Sequence, residues 1–413
     1  MKLIFFTIVL SLSGLSTQSV SQEIPNFANV ASLNANTVSL FQQGLDFKSS
    51  GELELAAKVF RIALAVAPNY FPARRALVDT LLELEEYEAA EFHLRKLIDI
   101  DSNPNAQDAY YSTLDKIISK HPFKYDFSFA VLPSSNINNG TKNIYFDTEI
   151  GQFTINESGR ESSGIGLYLG TSASHRWPLG NGQLMKLTGS LSGMWYDVES
   201  LRHIDGKLSL TYQVDESQTH WSVEPYIRKS WYIPSSESSS SDVKALGISV
   251  NYLRQLSEAY SLGVEGLVED QSYIEKSYMS GPFRSATFKL EHRANADTLY
   301  SLNFGVQGHQ PEAEHLAYQG LSLSAGVTKS WGNSFTTGIT VGVGKRDYIE
   351  NYTALTFPRM DQFYSIGMSV QNSKLKLFDT IPRINCTYKR NHSNVAFYDY
   401  QTTNCQISLT RNF

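Results

Sequence analysis

The chain has 413 residues, enough for two domains, and a net charge of −6, which argues against a nucleic-acid partner. It carries 23 Tyr and 22 Phe, yet its mean hydropathy is only −0.26. Abundant aromatics without apolar runs suit a chain that alternates apolar and polar positions, as a membrane β-barrel does, although a large soluble β-protein has a similar composition.

The chain opens "MKLIFFTIVLSLSGLSTQSVSQ", with Lys2, an apolar stretch from Leu3 to about Leu15 and a small-x-small site at Ser19, Val20 and Ser21. Residues 1–21 therefore read as a secretory signal, too short to anchor the chain and with no Cys beside the site to accept a lipid. No later run of about 18 apolar residues predicts a membrane-spanning helix.

Residues 22–121 read as a helical repeat domain. In "FQQGLDFKSSGELELAAKVFRIALAVAP", Leu40, Gly44, Phe47, Ala56, Phe60, Ala63 and Pro68 fall at tetratricopeptide-repeat spacings, with the small residues where two helices approach closely. A shift of one repeat length puts Leu77, Leu81, Ala90, Leu94 and Leu97 on the matching positions of a weaker second copy, closed by Pro104. "AQDAYYSTLDKIISK" then serves as a capping helix. A plain helical bundle is the alternative, and the shared period of two copies favours the repeat. Such a stack presents a concave face to a peptide or protein.

From residue 122 to 413 the period changes from 3.6 to 2. In "YSLNFGV", Tyr300, Leu302, Phe304 and Val306 share one face, and Ser301, Asn303 and Gly305 the other. Likewise Phe335, Thr337, Ile339, Val341 and Val343 oppose Thr336, Gly338, Thr340, Gly342 and Gly344. One face is apolar and the other small and polar, which predicts an antiparallel transmembrane barrel with lipid outside and a polar lumen. Counting such segments gives about fourteen strands, an even number that returns both barrel ends to one side. Connections alternate between short ("LGNG", "VDESQ", "LSEA", "NAD", "WGN") and long, the pattern of periplasmic turns and external loops. The helical domain is thus expected in the periplasm of a Gram-negative cell. Trp177, Trp195, Trp231 and Trp331 lie near strand ends, where an aromatic girdle sits.

The chain closes on "NCQISLTRNF", with Phe413, Arg411, Leu409, Ile407 and Cys405 on one parity. This strand is expected to pair back onto "FKYDFSFAV", with Phe413 as the terminal aromatic that the barrel assembly machinery reads. Arg411 is the exception on the lipid-facing parity, tolerable near an interface.

No HExxH, GxSxG, P-loop or dinucleotide fingerprint occurs, so no catalytic, metal or cofactor site is expected. The glycines of "GVGKRD", 342–347, continue the inward parity of a strand and read as lumen lining. Glu224, Arg228, Glu265, Glu269, Lys289 and Glu291 also fall inward and are expected to pair across the lumen. Cys386 and Cys405 face outward on the last two strands, where a disulfide and two free thiols stay equally open.

"FAVLPSSNINNGTKN", residues 129–143, and "PRINCTYKRNHSNVAFYDYQTTNCQISLTRNF", residues 382–413, resemble the two signature regions of the surface lipoprotein assembly modifier family. Pro133, Asn136, Asn138 and the Ser393-Asn394 loop carry the resemblance. It implies an outer-membrane translocator with periplasmic repeats, whose cargo is a surface lipoprotein or a secreted protein of the haem- or metal-acquisition type. It also implies lipid, the barrel assembly machinery and periplasmic chaperones as partners, and no enzyme activity. The helical part, about two repeats, is short for the family. An exopolysaccharide exporter, which joins longer repeat arrays to a barrel, and a substrate porin, which needs no repeats, are the alternatives.

Overall fold

The computed structural model describes residues 33–101, 103–233, 242–332, 334–377 and 380–411. The expected signal at 1–21 and Phe413 lie outside them. Of Arg411 only the backbone is described, paired with Thr380.

Five helices come first: α1 (Leu33–Ser49), α2 (Leu53–Val66), α3 (Phe71–Glu83), α4 (Tyr87–Ile100) and α5 (Pro104–Lys120). They pack as consecutive hairpins. Gly44 of α1 lies against Phe60 of α2 so closely that a Cβ would stand 2.4 Å from the ring. Only glycine permits that approach. Ala56, Phe60 and Ala63 are fully buried, and so are Ala90, Leu94 and Leu97, their counterparts one period later. The turns repeat too: Gly51 (φ 80°) between α1 and α2 and Glu85 (φ 59°) between α3 and α4 are the left-handed residues at equivalent positions. At α5, Pro104 fills the first turn and Asn103 caps it, its side chain accepting from the Asn105 amide at 3.1 Å.

Only His121 and Pro122 separate α5 from the sheet. The strands are β1 (Phe123–Ser134), β2 (Tyr145–Thr148), β3 (Gly151–Thr154), β4 (Gly164–Gly180), β5 (Gln183–Trp195), β6 (His203–Glu216), β7 (Thr219–Tyr232) and β8 (Val243–Gln255). There follow β9 (Tyr260–Tyr273), β10 (Gly281–Asn295), β11 (Thr298–His309), β12 (Tyr318–Trp331), β13 (Phe335–Asn351), β14 (Pro358–Asn372), β15 (Thr380–Ser393) and β16 (Tyr400–Arg411). β1 and β4 to β16 form a closed antiparallel barrel of fourteen strands, and β2 pairs with β3 as a separate hairpin in the first long loop. Closure leaves no sheet edge unpaired, the condition for a sheet in lipid. β1 closes on β16 with Ala130 opposite Ser408 and Ser134 opposite Asn404.

The alternation of the sequence becomes two surfaces. Tyr300, Leu302, Phe304, Ile339, Val341 and Val343 are exposed on the outside. Trp177, Trp195, Trp231 and Trp331 sit within four residues of their strand ends. At one barrel end strands join by two to four residues, at 181–182, 217–218, 256–259, 296–297 and 332–334, with a longer connection at 373–379. The seven connections at the other end run from six residues, at 352–357 and 394–399, up to the loop 135–163.

Candidate functional site

The helical stack docks on the short-turn mouth of the barrel. Glu91, Arg95 and Asp99 are spaced i, i+4, i+8 and form one polar stripe along α4. Glu91 meets Arg176, an inward-facing residue of β4, with both carboxylate oxygens 2.8 Å from Nη1. Both side chains are buried, and Lys124 of β1 approaches Glu91 at 3.5 Å. Arg176 Nη2 also donates to the carbonyl of His121 at 2.9 Å, which fixes the link between helix and strand. Arg95 pairs with Asp215 at the end of β6, and Asp99 with His220 of β7 at 3.2 Å. Tyr111 of α5 donates to the Asp215 carbonyl at 3.0 Å. Leu184, facing inward on β5, joins the apolar core of the helices. Burial would raise the Glu91 carboxyl, but Arg95, Lys124 and Arg176 together hold it down to about 2. It is a permanent anion in a cationic setting.

Behind this surface, Arg74 is buried with its guanidinium 3.0 Å from His93 Nδ1 and 2.7 Å from the Pro68 carbonyl. Burial, then the Arg74 charge, pushes the His93 imidazole down to about 3. His93 thus stays neutral and serves packing.

Inside the barrel the charged residues are neighbours along the wall and do not reach across the lumen, which corrects the expected cross-lumen pairing. Lys207 of β6 donates to Glu224 of β7 at 2.6 Å, and Lys289 of β10 pairs with Glu265 of β9. Arg228 of β7 reaches past Gly247 of β8 to Glu269 of β9 at 2.6 Å, and Tyr226 donates to the same carboxylate. Glu291 accepts from Ser261 at 3.3 Å. Even Lys, Arg and Glu side chains are too short to span a fourteen-stranded barrel, so these charges are satisfied by the next strand or the one beyond. Along the middle of β11 to β14 the inward positions are small, at Gly305, Ser322, Ser324, Gly338, Thr340 and Gly342.

The long-loop mouth is built around Asn136, Asn138, Ser393 and Asn394. Asn136 is buried; its amide donates to the carbonyls of Gly140 (2.8 Å) and Gln401 (2.9 Å) and accepts from the Gly140 amide. Asn138 donates to the Arg160 carbonyl at 2.7 Å and accepts from the Ser162 amide. Together they fold loop 135–163 and tie it to β16. Asn394 accepts from the Met360 amide at 2.7 Å and donates to the Pro358 carbonyl at 2.9 Å, and Ser393 Oγ accepts from the Val395 amide. Ile155, Val395 and Phe397 then form a buried cluster with Phe146, Tyr352 and Leu355, joining three long loops into one cap. Pro133, on the outward parity of β1, pairs with Ile165 in β4. Below the cap, Arg359 and Asp361 form a buried bidentate pair at 2.9 and 2.5 Å, with Arg359 stacked 3.3 Å above the Tyr398 ring.

Cys386 and Cys405 face each other in register on β15 and β16, with their Cα atoms 4.0 Å apart. Neither Arg359 nor Glu91 was singled out in the sequence. Arg359 and Asp361 flank Met360 in an alternating strand, which signals a same-face pair, whereas an acidic and basic stripe on a helix normally marks a solvated face.

Residues 123–413, the whole barrel, match the family model described as surface lipoprotein assembly modifier. Curated relatives include Surface lipoprotein assembly modifier 1 of Haemophilus influenzae, 21% identical over 90% of this chain and 76% of its own length. Surface lipoprotein assembly modifier 2 of the same organism is 20% identical over 96% of this chain and 82% of its own. Among solved structures, the outer membrane channel DcaP of Acinetobacter baumannii covers 70% of this chain and 98% of its own at 8% identity, with a TM-score of 0.40. The closed barrel and the family match agree, and this outer-membrane β-barrel chain belongs to the surface lipoprotein assembly modifier family.

Proposed function

We propose that this chain carries lipoproteins from the periplasm to the cell surface, with its helical stack in the periplasm as the capture site. The observation that carries this reading is the docking of α4 on the mouth of the barrel through Glu91 and Arg176. A cargo bound to the stack is held beside the lumen, so two weak sites act as one stronger one. The short turns facing the helices support a periplasmic orientation, since long loops of such barrels face outward. We read the hairpins as tetratricopeptide repeats from the equivalent turns at Gly51 and Glu85. Secreted haem- or metal-acquisition proteins are further candidate cargo, and Phe413 is the proposed signal to the assembly machinery.

The test is co-expression with a candidate cargo in a host lacking both, reading protease accessibility of the cargo on intact cells with a periplasmic marker as leakage control. Accessibility should require this chain and fall sharply when residues 34–120 are deleted while the barrel still inserts. Equal accessibility without the chain defeats the reading, and surface sugar polymer in its place moves the assignment to polysaccharide export. For Cys386 and Cys405 we propose a disulfide formed in the oxidising periplasm. Intact mass after alkylation without reductant should show neither thiol modified.

A further inference from the structure

The outer face of β4 to β9 holds a groove of about 820 Å³, in a region where a barrel wall is ordinarily convex. It follows two consecutive rows of cross-strand partners. One row runs Thr171, Leu191, Gly206, Lys229, Lys244, Ser272; the other runs Ala173, Gly189, Leu208, Ile227, Leu246, Asp270. Because strands tilt in a barrel, such rows run obliquely across its wall. The groove therefore starts towards the short-turn end, beside Tyr125 of β1, and rises to the long-loop end of β7, β8 and β9.

Its chemistry changes along that path. The middle is apolar, and Leu191, Leu208, Ile227 and Leu246 are all exposed to the surroundings of the barrel. The upper end places Lys229 directly opposite Lys244. Like charges in that position repel. Among the described residues Lys229 has only the distant Asp242 carboxylate, at 3.9 Å, as an ion-pair partner, and Lys244 has none. Asp270, one row away, comes within ion-pair distance of neither. Trp231 covers Gly206 beside them, its indole 5.0 Å from the Lys229 ammonium. An apolar trough ending in two adjacent ammonium groups at a membrane boundary fits a molecule with acyl chains at one end and a phosphate at the other.

We propose that this groove binds a phosphorylated, multiply acylated glycolipid of the outer leaflet, its chains along the two rows and its phosphate between Lys229 and Lys244. The choice of leaflet rests on the orientation proposed above. The phosphate relieves the repulsion of the two lysines, and the apolar rows replace contacts the chains would otherwise make with neighbouring lipid.

The experiment titrates the purified full-length protein in neutral detergent with a diphosphorylated glycolipid, its dephosphorylated form, a phosphatidylglycerol and inorganic phosphate, reading bound lipid by native mass spectrometry. The diphosphorylated glycolipid should bind best. Lys229→Gln with Lys244→Gln should weaken it about tenfold or more. Gly189→Leu, whose new side chain enters open space, should fill the trough and weaken binding about fivefold without disturbing the barrel. Lys329→Gln, on the outer face at the opposite end, should change nothing. Heat-modifiable migration confirms that each variant is folded. Equal binding of the dephosphorylated form, preference for phosphatidylglycerol, displacement by inorganic phosphate alone, or indifference to both groove variants overturns the proposal. No cargo is present, so failure here leaves the transport reading standing, and failure of transport leaves this one.

Discussion

The two mouths of the barrel are built by different chemistry. At the short-turn end a separate helical unit is held by charges: Glu91, Arg95 and Asp99 of one helix against Arg176, Asp215 and His220 of three strands. At the long-loop end the barrel caps itself with amides and aromatics, Asn136 and Asn394 on backbone groups and Phe397 in a small apolar cluster. Ion pairs between separate units respond to pH and to the loss of one partner. Side-chain amides on backbone respond to neither charge nor salt, and their loss is local.

The largest effect is expected from Glu91→Gln, and more from Glu91→Lys, because either leaves Arg176 buried without its counter-ion. A cost of about 3–5 kcal/mol is expected at the docking surface. It should appear as rapid proteolysis between α5 and β1 and as loss of cargo display, with heat-modifiable migration of the barrel unchanged. If the link stays protected, docking rests on Leu184 and the apolar contacts instead.

Acid should distinguish the mouths next. Glu91 has a folded pKa of about 2, below the ordinary 4.5, so its contribution is complete above 4.5 and lost as pH falls towards 2. The shift corresponds to about 3 kcal/mol. His93, depressed to about 3 from 6.5, acts in the same direction within the helices: the unfolded chain takes the proton first, so stability falls as pH drops from 6.5 towards 3. Hydrogen exchange at pH 7 and pH 4 should therefore show α3 and α4 loosening while loop 135–163 keeps its protection.

Asn136→Ala should reverse that pattern at a cost of about 1–3 kcal/mol, since the Gly140 amide and two carbonyls lose their buried partner. Exchange should rise in loop 135–163 and at Gln401, with the docking surface unaffected. Spread of the effect to α4 would mean that the two mouths are coupled. Gly44→Ala should cost about 1–3 kcal/mol through the Phe60 ring and lower the melting point of the helices alone. Smallest, and of opposite sign, Glu85→Gly should stabilise the helical part by about 1 kcal/mol by relieving a left-handed turn.

Much of this molecule was legible before any coordinates. Alternation is a local property of the backbone, because successive residues of a strand face opposite sides. "TTGITVGVG" and "YSLNFGV" therefore announced their outer faces, and the count of such stretches gave the fourteen strands of the barrel. Repeat spacing is equally local, which is how Gly44 and Phe60 marked a close helix approach. Asn136 and Asn138 stand out in the sequence as turn-forming residues, but not their partners Gln401 and Arg160, since hydrogen bonds across long loops follow no sequence rule. Inward charges were found by parity, whereas their pairing along the wall depended on distances that only the closed barrel sets. Glu91 shows the limit most clearly. Its i, i+4 relation to Arg95 is what any solvated helix displays, and only the folded chain carries Arg176, 85 positions away, into contact with it. Sequence determined which faces exist; tertiary structure decided which faces meet, because meeting is fixed by long-range closure and not by the pattern of neighbours.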